Sequence, residues 1–105
     1  MTVLRVLYKY GVKFDEGYYV SKHLPLVHEV FRSLGVRDIE VVKALPAGDG
    51  PVPPYQFVFS AYFDSEAAIK AALRSPQIAP VLRDVAKFYD GIPETLIGEV
   101  LSQPM

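Results

Sequence analysis

Two side chains near the start of the first predicted helix, Tyr19 and His23, have the types and the spacing for proton-transfer chemistry. Residues four apart share one face of a helix, so the two rings are expected to lie one turn apart. An imidazole exchanges a proton near neutral pH, and a tyrosine one turn earlier could hydrogen-bond a substrate oxygen or orient the imidazole. The pair predicts acid/base catalysis. The alternative is that His23 is a buried structural group whose hydrogen bonds are satisfied within the protein.

The helix that positions this pair is predicted to begin after Asp15, whose carboxylate suits a capping position, and to run to about Leu34, where Gly35 ends it. Pro25 cannot donate a hydrogen bond to the carbonyl of Ser21, so a kink or a restart of the helix is expected there. If the helix keeps its phase, His23 is semi-buried against the sheet. The same stripe then carries Leu26, Val27, Val30 and Leu34.

Several other aromatic or polar residues could line a pocket between sheet and helices and contact a substrate. For any one of them, an ordinary place in the core or on the surface is the simpler interpretation. These candidates are Tyr55, Gln56, Ser60, Tyr62, Phe88 and Tyr89.

Other classes of site are disfavoured. The chain has no cysteine, and His23 and His28 are five apart, which separates them on the helix and leaves His28 at the surface; no metal site is expected. Ser60 lies inside a predicted strand without the flanking glycines of a nucleophile elbow. No glycine-rich phosphate loop precedes a helix, so no cofactor is expected.

Charge and hydropathy disfavour some classes of binding partner. Eleven basic and twelve acidic residues, without long blocks of one sign, disfavour nucleic acid and anionic membranes. No apolar run is long enough to span a bilayer, and the first residues lack the pattern of a signal peptide. A soluble, cytoplasmic protein is therefore expected.

The alternation of apolar and polar residues predicts four strands and two helical segments in one domain that covers residues 1–105. The second helical segment is expected to be broken at Ser75-Pro76, and Pro46–Pro54 is expected to be a loop. The order β-α-β-β-α-β is that of a ferredoxin-like α+β fold, with both helices on one face of a four-stranded antiparallel sheet. The predicted strands are Thr2–Tyr10, Val36–Leu45, Tyr55–Phe63 and Thr95–Leu101.

This arrangement leaves one sheet face without helices, and an apolar face of that size is rarely left exposed in a monomer. A homodimer that buries sheet against sheet is therefore expected. The residues considered for this outer face are Val3, Leu7, Ile39, Val41, Leu45, Val58, Ile97 and Leu101.

The segment Phe14–Val27, FDEGYYVSKHLPLV, resembles the signature of the EthD family, in which a phenylalanine and a tyrosine precede a Lys-His-x-Pro-Leu-Val run. The similarity continues in the loop before Pro54-Tyr55, in Tyr62–Ser65 and in Phe88–Asp90. Muconolactone isomerases and antibiotic-biosynthesis monooxygenases share related patterns. Carried over by position, the motif falls on Phe14, Tyr19, His23, Pro25 and Tyr55.

The resemblance implies a homodimeric α+β barrel with a cavity between sheet and helices in each subunit. It also implies a link to ethyl tert-butyl ether breakdown, since the family is named for a protein encoded beside a cytochrome P450 system. Two functions stay open. One is a cofactor-free enzyme of isomerase, cyclase or oxygenase type acting on a small apolar or aromatic molecule, with Phe14 among the substrate-binding residues. The other is a non-catalytic binding protein or an accessory to an oxygenase.

Overall fold

A computed structural model of the chain describes residues 1–46 and 48–102. Its four strands form one antiparallel sheet in the order β2-β3-β1-β4, which confirms the predicted ferredoxin-like arrangement. The strands are β1 (Thr2–Lys9), β2 (Asp38–Lys43), β3 (Tyr55–Phe63) and β4 (Glu94–Glu99).

Two helical segments connect the strands and pack on the same face of the sheet. The first consists of α1 (Glu16–Tyr18), a π-helical turn (Tyr19–His23) and α2 (Leu24–Arg32). The second consists of α3 (Glu66–Arg74), a 3₁₀ turn (Pro76–Ile78), α4 (Ala79–Asp84) and a 3₁₀ turn (Val85–Lys87). No helix in the described part of the chain is long and apolar enough to cross a bilayer.

The first helical segment accommodates Pro25 by forming a wider, π-helical turn before it. The Leu24 N–H bonds to the Tyr19 carbonyl, five residues back, and Pro25, which has no N–H to donate, follows directly. In an α-helix, a residue lies about 40° around the axis from the residue four positions earlier. The π turn has more residues per turn, so this angle between Tyr19 and His23 is smaller. Tyr19 and His23 therefore stay on the buried side together with Val27 and Phe31.

The predicted cap at Asp15 is present, since its carboxylate accepts a hydrogen bond from the Tyr18 N–H at 3.0 Å. Ser65 caps the second segment and accepts from the Ala68 N–H at 3.1 Å. Ser75 accepts from the Gln77 N–H, which confirms the break of the second segment at this serine. The second segment thereby turns, and α4 lies against α2.

The helix-facing side of the sheet carries two apolar clusters. A larger aliphatic cluster lies at one end, and an aromatic cluster lies nearer the first helical turn. The buried members of the first are Leu4, Val27, Phe31, Phe59, Ala61, Phe63, Ile69, Ala72, Ile78 and Val81, and those of the second are Tyr8, Tyr19, Phe57, Phe88 and Tyr89.

The outer face of the sheet differs in part from the prediction. Val3, Leu7 and Val58 do lie on it, since Val3 pairs with Tyr62 and Leu7 pairs with Val58. Ile39 and Val41, in contrast, pack against the helix-side cluster.

Three further residues of the predicted outer face lie elsewhere. Ile97 pairs with Leu4, whose side chain is in the helix-side core, so the period of two along the strands places Ile97 on that side. Leu45 and Leu101 lie beyond the ends of β2 and β4 and are exposed.

Strand ends are set by local hydrogen bonds. β2 is shorter than predicted, although single bonds from the Arg37 and Ala44 N–H groups to β3 continue its pairing. The pairing of β1 with β3 shifts register between Tyr8 and Lys9. Ala47 of the predicted loop and residues 103–105 of the predicted tail lie outside the described residues.

Candidate active site

His23 is held by a carboxylate from the other helical segment. Its side chain is buried, and its Nδ1 lies 2.9 Å from Oδ2 of Asp84, the last residue of α4. The other carboxylate oxygen, Oδ1, accepts a hydrogen bond from the Tyr18 hydroxyl at 2.7 Å. Asp84 thus fixes the imidazole ring and is itself fixed by Tyr18. The ring nitrogen left for a ligand is Nε2 of His23.

The protonation state of this pair follows from its surroundings. Burial lowers the pKa of His23 below its ordinary 6.5, more strongly than the hydrogen bond and charge of Asp84 raise it. Burial raises the pKa of Asp84, but the hydrogen bonds from Tyr18 and His23 and the charges of His23 and Lys87 together bring it below 3.8. The lowered pKa of His23 favours a neutral imidazole, whereas the lowered pKa of Asp84 depends partly on a charged imidazole. We assign the neutral imidazole, because burial is the largest effect on His23; its Nδ1 hydrogen is then donated to the ionised carboxylate, which can only accept.

His23 lines a cavity of about 120 Å³ between the helices and the sheet. Among the described residues, the only other lining groups with polar atoms in the side chain are the phenol of Tyr8 and the hydroxyl of Thr95. The rest of the wall is aliphatic or aromatic, so the cavity suits an apolar molecule with a single polar group. The apolar wall is formed by Leu4, Val6, Val27, Phe31, Phe59, Leu73, Ile78, Val81, Leu82, Val85 and Pro93.

Tyr19 packs beside His23 rather than bonding to it. The two rings are stacked, with centroids 5.6 Å apart and planes 19° apart. The Tyr19 hydroxyl is buried and has no hydrogen-bond partner among the described residues. Burial raises the pKa of the phenol, so it is neutral and available as a donor. Orientation of the imidazole, expected of Tyr19, is supplied by Asp84.

The predicted aromatic candidates Phe14, Phe88 and Tyr89 belong to the same aromatic cluster as Tyr19, and Phe14 and Phe88 pack directly on its ring. Phe14 stacks on Phe57 at 4.2 Å, and the Phe88 ring lies 4.4 Å from that of His23. The Tyr89 hydroxyl accepts a hydrogen bond from the Lys9 N–H at 3.0 Å. Phe88 is the one of the three that packs on the imidazole, and the 120 Å³ cavity is lined by other residues.

The predicted place of Gln56, Ser60 and Tyr62 between sheet and helices is corrected by the structure. Their positions alternate with those of Phe57 and Phe59, whose rings are in the helix-side core, so the three side chains belong to the other face. The Ser60 hydroxyl accepts from Arg5 Nε at 3.2 Å. Gln56 donates through its amide to the carbonyls of Lys9 and Val12.

Tyr55 also lies apart from the cavity. Its hydroxyl is hydrogen-bonded to the carboxylate of Glu94, which raises the pKa of the phenol. Glu94 stands opposite Leu7 in the sheet. His28 is exposed, as predicted.

Three site residues were missed by the sequence prediction, namely Tyr8, Tyr18 and Asp84. Asp84 carried a usable signal, since it follows Val81 by three residues and so extends the apolar stripe of its helix with an acid. Tyr8 shares the inward face of β1 with Leu4 and could be found from the alternation alone. The bond between Tyr18 and Asp84 depends on tertiary packing, which no local pattern encodes.

No group of three or more metal-ligating side chains is present within residues 1–46 and 48–102. The expectation of a site without metal or cofactor stays a prediction.

Comparison with known proteins identifies the family. A model of the EthD domain matches residues 12–92. No curated protein matches the sequence.

Solved structures share the fold over nearly the whole chain. An EthD-like protein from Ralstonia eutropha JMP134 is 27% identical, with a TM-score of 0.83, covering 98% of this chain and 94% of its own. An ethyl tert-butyl ether (EthD) family protein from Bacillus halodurans C-125 is 23% identical, with a TM-score of 0.77 and coverage of 96% and 99%. A dimeric ferredoxin-like protein of unknown function from Thermobifida fusca YX is 12% identical, with a TM-score of 0.63 and coverage of 95% and 92%. The chain belongs to the EthD family.

Proposed function

We propose that this protein binds a small apolar or aromatic molecule in the His23 cavity and removes a proton from it without a cofactor. The observation that carries the proposal is the hydrogen bond between His23 Nδ1 and Asp84 at 2.9 Å, which leaves Nε2 as the other ring nitrogen of a residue that lines an apolar cavity. A neutral Nε2 is a proton acceptor, and Asp84 stabilises the imidazolium that forms.

Such a step is the start of several reactions. Loss of a proton next to a carbonyl gives an enolate, which can be protonated elsewhere, can attack a second carbonyl, or can react with oxygen. Isomerase, cyclase and oxygenase reactions can therefore all begin with removal of this proton by a base in the site. The catabolism of small apolar compounds in the cytoplasm is the setting we propose.

Tyr8, which lines the cavity, is the first candidate for holding the substrate oxygen. Tyr19 is fully buried and does not line the cavity, so it would meet a ligand only after a change in the surrounding packing. Tyr8 lines the cavity beside His23, and its ring packs edge-on against Tyr19 at 5.8 Å. Tyr19 has a buried hydroxyl without a partner among the described residues. Burial raises the pKa of both phenols, so each would act as a hydrogen-bond donor to a carbonyl oxygen and not as a base.

A second candidate function is binding without catalysis, for storage of an apolar ligand or in support of an oxygenase. It is favoured by the composition of the cavity wall, where His23 and Tyr8 are the sole titratable side chains among the described lining residues. Acid/base enzymes more often present a second charged group to the substrate.

We further propose that the protein is a homodimer joined through the outer faces of its sheets. Val3, Leu7, Val58 and Leu96 are apolar residues of this face around a polar centre of Arg5 and Ser60, and Leu96 is half exposed in the single chain. The ferredoxin-like relative from Thermobifida fusca is described as dimeric.

Deuterium exchange tests the proposed chemistry without knowledge of the natural substrate. Cyclopentanone is small enough for the cavity and has acidic C–H groups next to its carbonyl. In heavy water at neutral pH, the protein should accelerate loss of the α-proton signal with saturation kinetics, and His23→Ala should abolish the acceleration. His28→Ala, which changes an exposed histidine five residues on, is the matched control.

Each outcome is decisive. Saturable binding of the ketone with no acceleration supports the binding function. Equal acceleration by the wild type and by His23→Ala would exclude His23 as the base. Absence of binding in both would exclude the cavity as the site.

A further inference from the structure

The His23 cavity adjoins a larger groove. This groove, of about 640 Å³, lies between the end of α4 and the segment that leads into β4. Four residues line both spaces, so the groove and the cavity are neighbours along a shared set of side chains: Leu82, Val85, Pro93 and Thr95. The remaining groove residues are Ala86, Tyr89, Asp90, Gly91 and Ile92.

The sizes of the two spaces differ in a way that limits the ligand. An apolar cavity of roughly 150 Å³ holds one benzene molecule, so the cavity of about 120 Å³ takes one small ring or a short chain. A larger ligand that reaches His23 must therefore extend into the groove. Two aliphatic side chains stand there in water, Leu82 at 61% exposure and Ile92 at 91%.

The charged groups near the two spaces limit the charge that a ligand can carry. The acidic groups close to the two spaces are Asp84, bonded to His23, and Asp90 in the groove. Neither space is lined by a lysine or arginine among the described residues. An anionic head such as a carboxylate or phosphate would be repelled and left unpaired. An uncharged molecule with a hydroxyl hydrogen can instead donate to Nε2 of His23.

We propose that the cavity and the groove form one site for an uncharged, elongated apolar molecule, about two fused rings long, whose single phenolic or enolic hydroxyl bonds to His23. The inference rests on the proposed function, in that the same cavity holds the reacting end. Leu82 lies at the junction of the two spaces, and Ile92 covers the outer part of the molecule.

Isothermal titration calorimetry with four probes tests the proposal on the full chain. The probes are phenol, which fits the cavity alone, 2-naphthol, which needs the groove, 2-methoxynaphthalene, which lacks the hydroxyl hydrogen, and 2-naphthoate, which carries a charge. We expect 2-naphthol to bind at least tenfold more tightly than each of the others.

Two variants separate the groove from the cavity. Ala86→Trp fills the groove, and Ile92→Asp makes it polar and acidic. Both side chains are exposed, so the fold should tolerate the changes. Each variant should weaken 2-naphthol at least fivefold and leave phenol within twofold. Leu101→Asp, at another exposed leucine outside the groove, should change neither.

The results distinguish the two levels of the proposal. If His23→Ala weakens phenol but Ala86→Trp leaves 2-naphthol unchanged, the cavity function holds and the extended site is overturned. If His23→Ala affects no probe, the proposed function fails as well. If Ala86→Trp or Ile92→Asp changes the molecular mass in light scattering, a second copy covers the groove, and the extended site is likewise overturned.

Discussion

Asp84 Oδ2 lies 2.9 Å from His23 Nδ1 across a separation of 61 residues in the sequence. This bond joins the end of the second helical segment to the first and fixes the tautomer of a buried imidazole. It also reassigns a role, since the group that orients His23 is a carboxylate from α4 and not the tyrosine one turn before it. The function of the site therefore depends on how the two helical segments pack.

Replacement of that carboxylate by an amide, Asp84→Asn, should weaken His23 as a base. The bond and the charge of Asp84 raise the pKa of His23 against the larger effect of burial, so their loss should lower the pKa further. Deuterium exchange from cyclopentanone should fall by about tenfold or more, because general-base catalysis follows base strength.

The pKa of His23 in the wild type and in Asp84→Asn is read by NMR from the His23 ring protons. Asp90→Asn, which removes an exposed acid of the groove, should leave the His23 titration in place. An unchanged His23 pKa in Asp84→Asn would show that the carboxylate does not act on the imidazole.

Acid should destabilise the fold in two steps. The pKa of His23 is lower in the folded state than its ordinary 6.5, and that of Asp84 is lower than 3.8. The unfolded chain therefore binds more protons at low pH, so stability rises with pH. The contribution of His23 is complete above its unfolded pKa of 6.5 and is lost as the pH falls from there through the folded pKa. That of Asp84 is lost in the same way from 3.8 downward.

Urea unfolding at a series of pH values measures this dependence. His23→Gln should remove the upper step and His28→Gln should retain it. A wild-type stability that stays flat between neutral pH and pH 5 would contradict the buried, neutral state of His23.

The hydroxyl of Tyr19 offers a test of ligand contact against packing. Because it is buried without a partner among the described residues, Tyr19→Phe should raise the free energy of unfolding by about 1 kcal/mol. The same change should weaken a carbonyl ligand if the hydroxyl donates to it. Tyr89→Phe is the matched control and should instead lower the stability, since that hydroxyl accepts from the Lys9 N–H. Loss of stability in Tyr19→Phe, with unchanged ketone affinity, would assign the tyrosine a purely structural role.

Local patterns predicted the frame of the site well and its chemistry less well. The strands follow from alternation, and Asp15, Ser65 and Ser75 cap helices where their side chains can accept from the backbone. Alternation also carried the information that Ser60 and Phe59 face opposite sides of β3, although Ser60 was assigned to the pocket.

Other features lie beyond local patterns. A proline within a helix can be met by a kink, a restart or a π turn, and the choice at Pro25 depends on which geometry buries both Tyr19 and His23. The partner of His23 is remote in sequence and is set by the packing of α4 against α2. Tyr19 and His23 could therefore be identified as candidate site residues from the sequence, whereas their contacts could be assigned only from the three-dimensional structure.

Gly91 leaves room for the ring of Tyr89, because it has no side chain. A Cβ atom there would lie 3.1 Å from Cε2 and 3.2 Å from the hydroxyl oxygen of Tyr89. The ring is buried and its hydroxyl is bonded to the Lys9 N–H, so it cannot move freely. Gly91→Ala should lower the free energy of unfolding by about 1–2 kcal/mol, as expected for overpacking.

Gly17→Ala is the control for Gly91→Ala. Its new Cβ would meet Asp15 at 3.5 Å, an ordinary contact, and it lies in α1. Alanine in a helix should add about 0.5–1 kcal/mol of stability, measured by the same urea titration. A stable Gly91→Ala protein would mean that the Tyr89 ring has room to shift.

The outer sheet face supplies the last prediction. Its centre is polar, with Arg5 Nε bonded to the buried Ser60 hydroxyl at 3.2 Å, and Leu96 stands opposite Arg5 on the neighbouring strand. In a sheet-to-sheet dimer, Leu96→Lys would replace an apolar contact by an ammonium group that loses its water beside Arg5, and the Glu40 and Glu94 carboxylates on the same face offset only part of that cost.

Light scattering should give twice the chain mass for the wild type and a single chain mass for Leu96→Lys at micromolar concentration. Leu45→Lys, at an exposed leucine beyond β2, should remain dimeric. Circular dichroism of Leu96→Lys should match the wild type, because this side chain is half exposed within one subunit. If Leu96→Lys keeps the wild-type mass, the subunits do not meet through this face. If Leu96→Lys is instead a folded monomer, its rate of cyclopentanone exchange shows whether one subunit suffices for the His23 site.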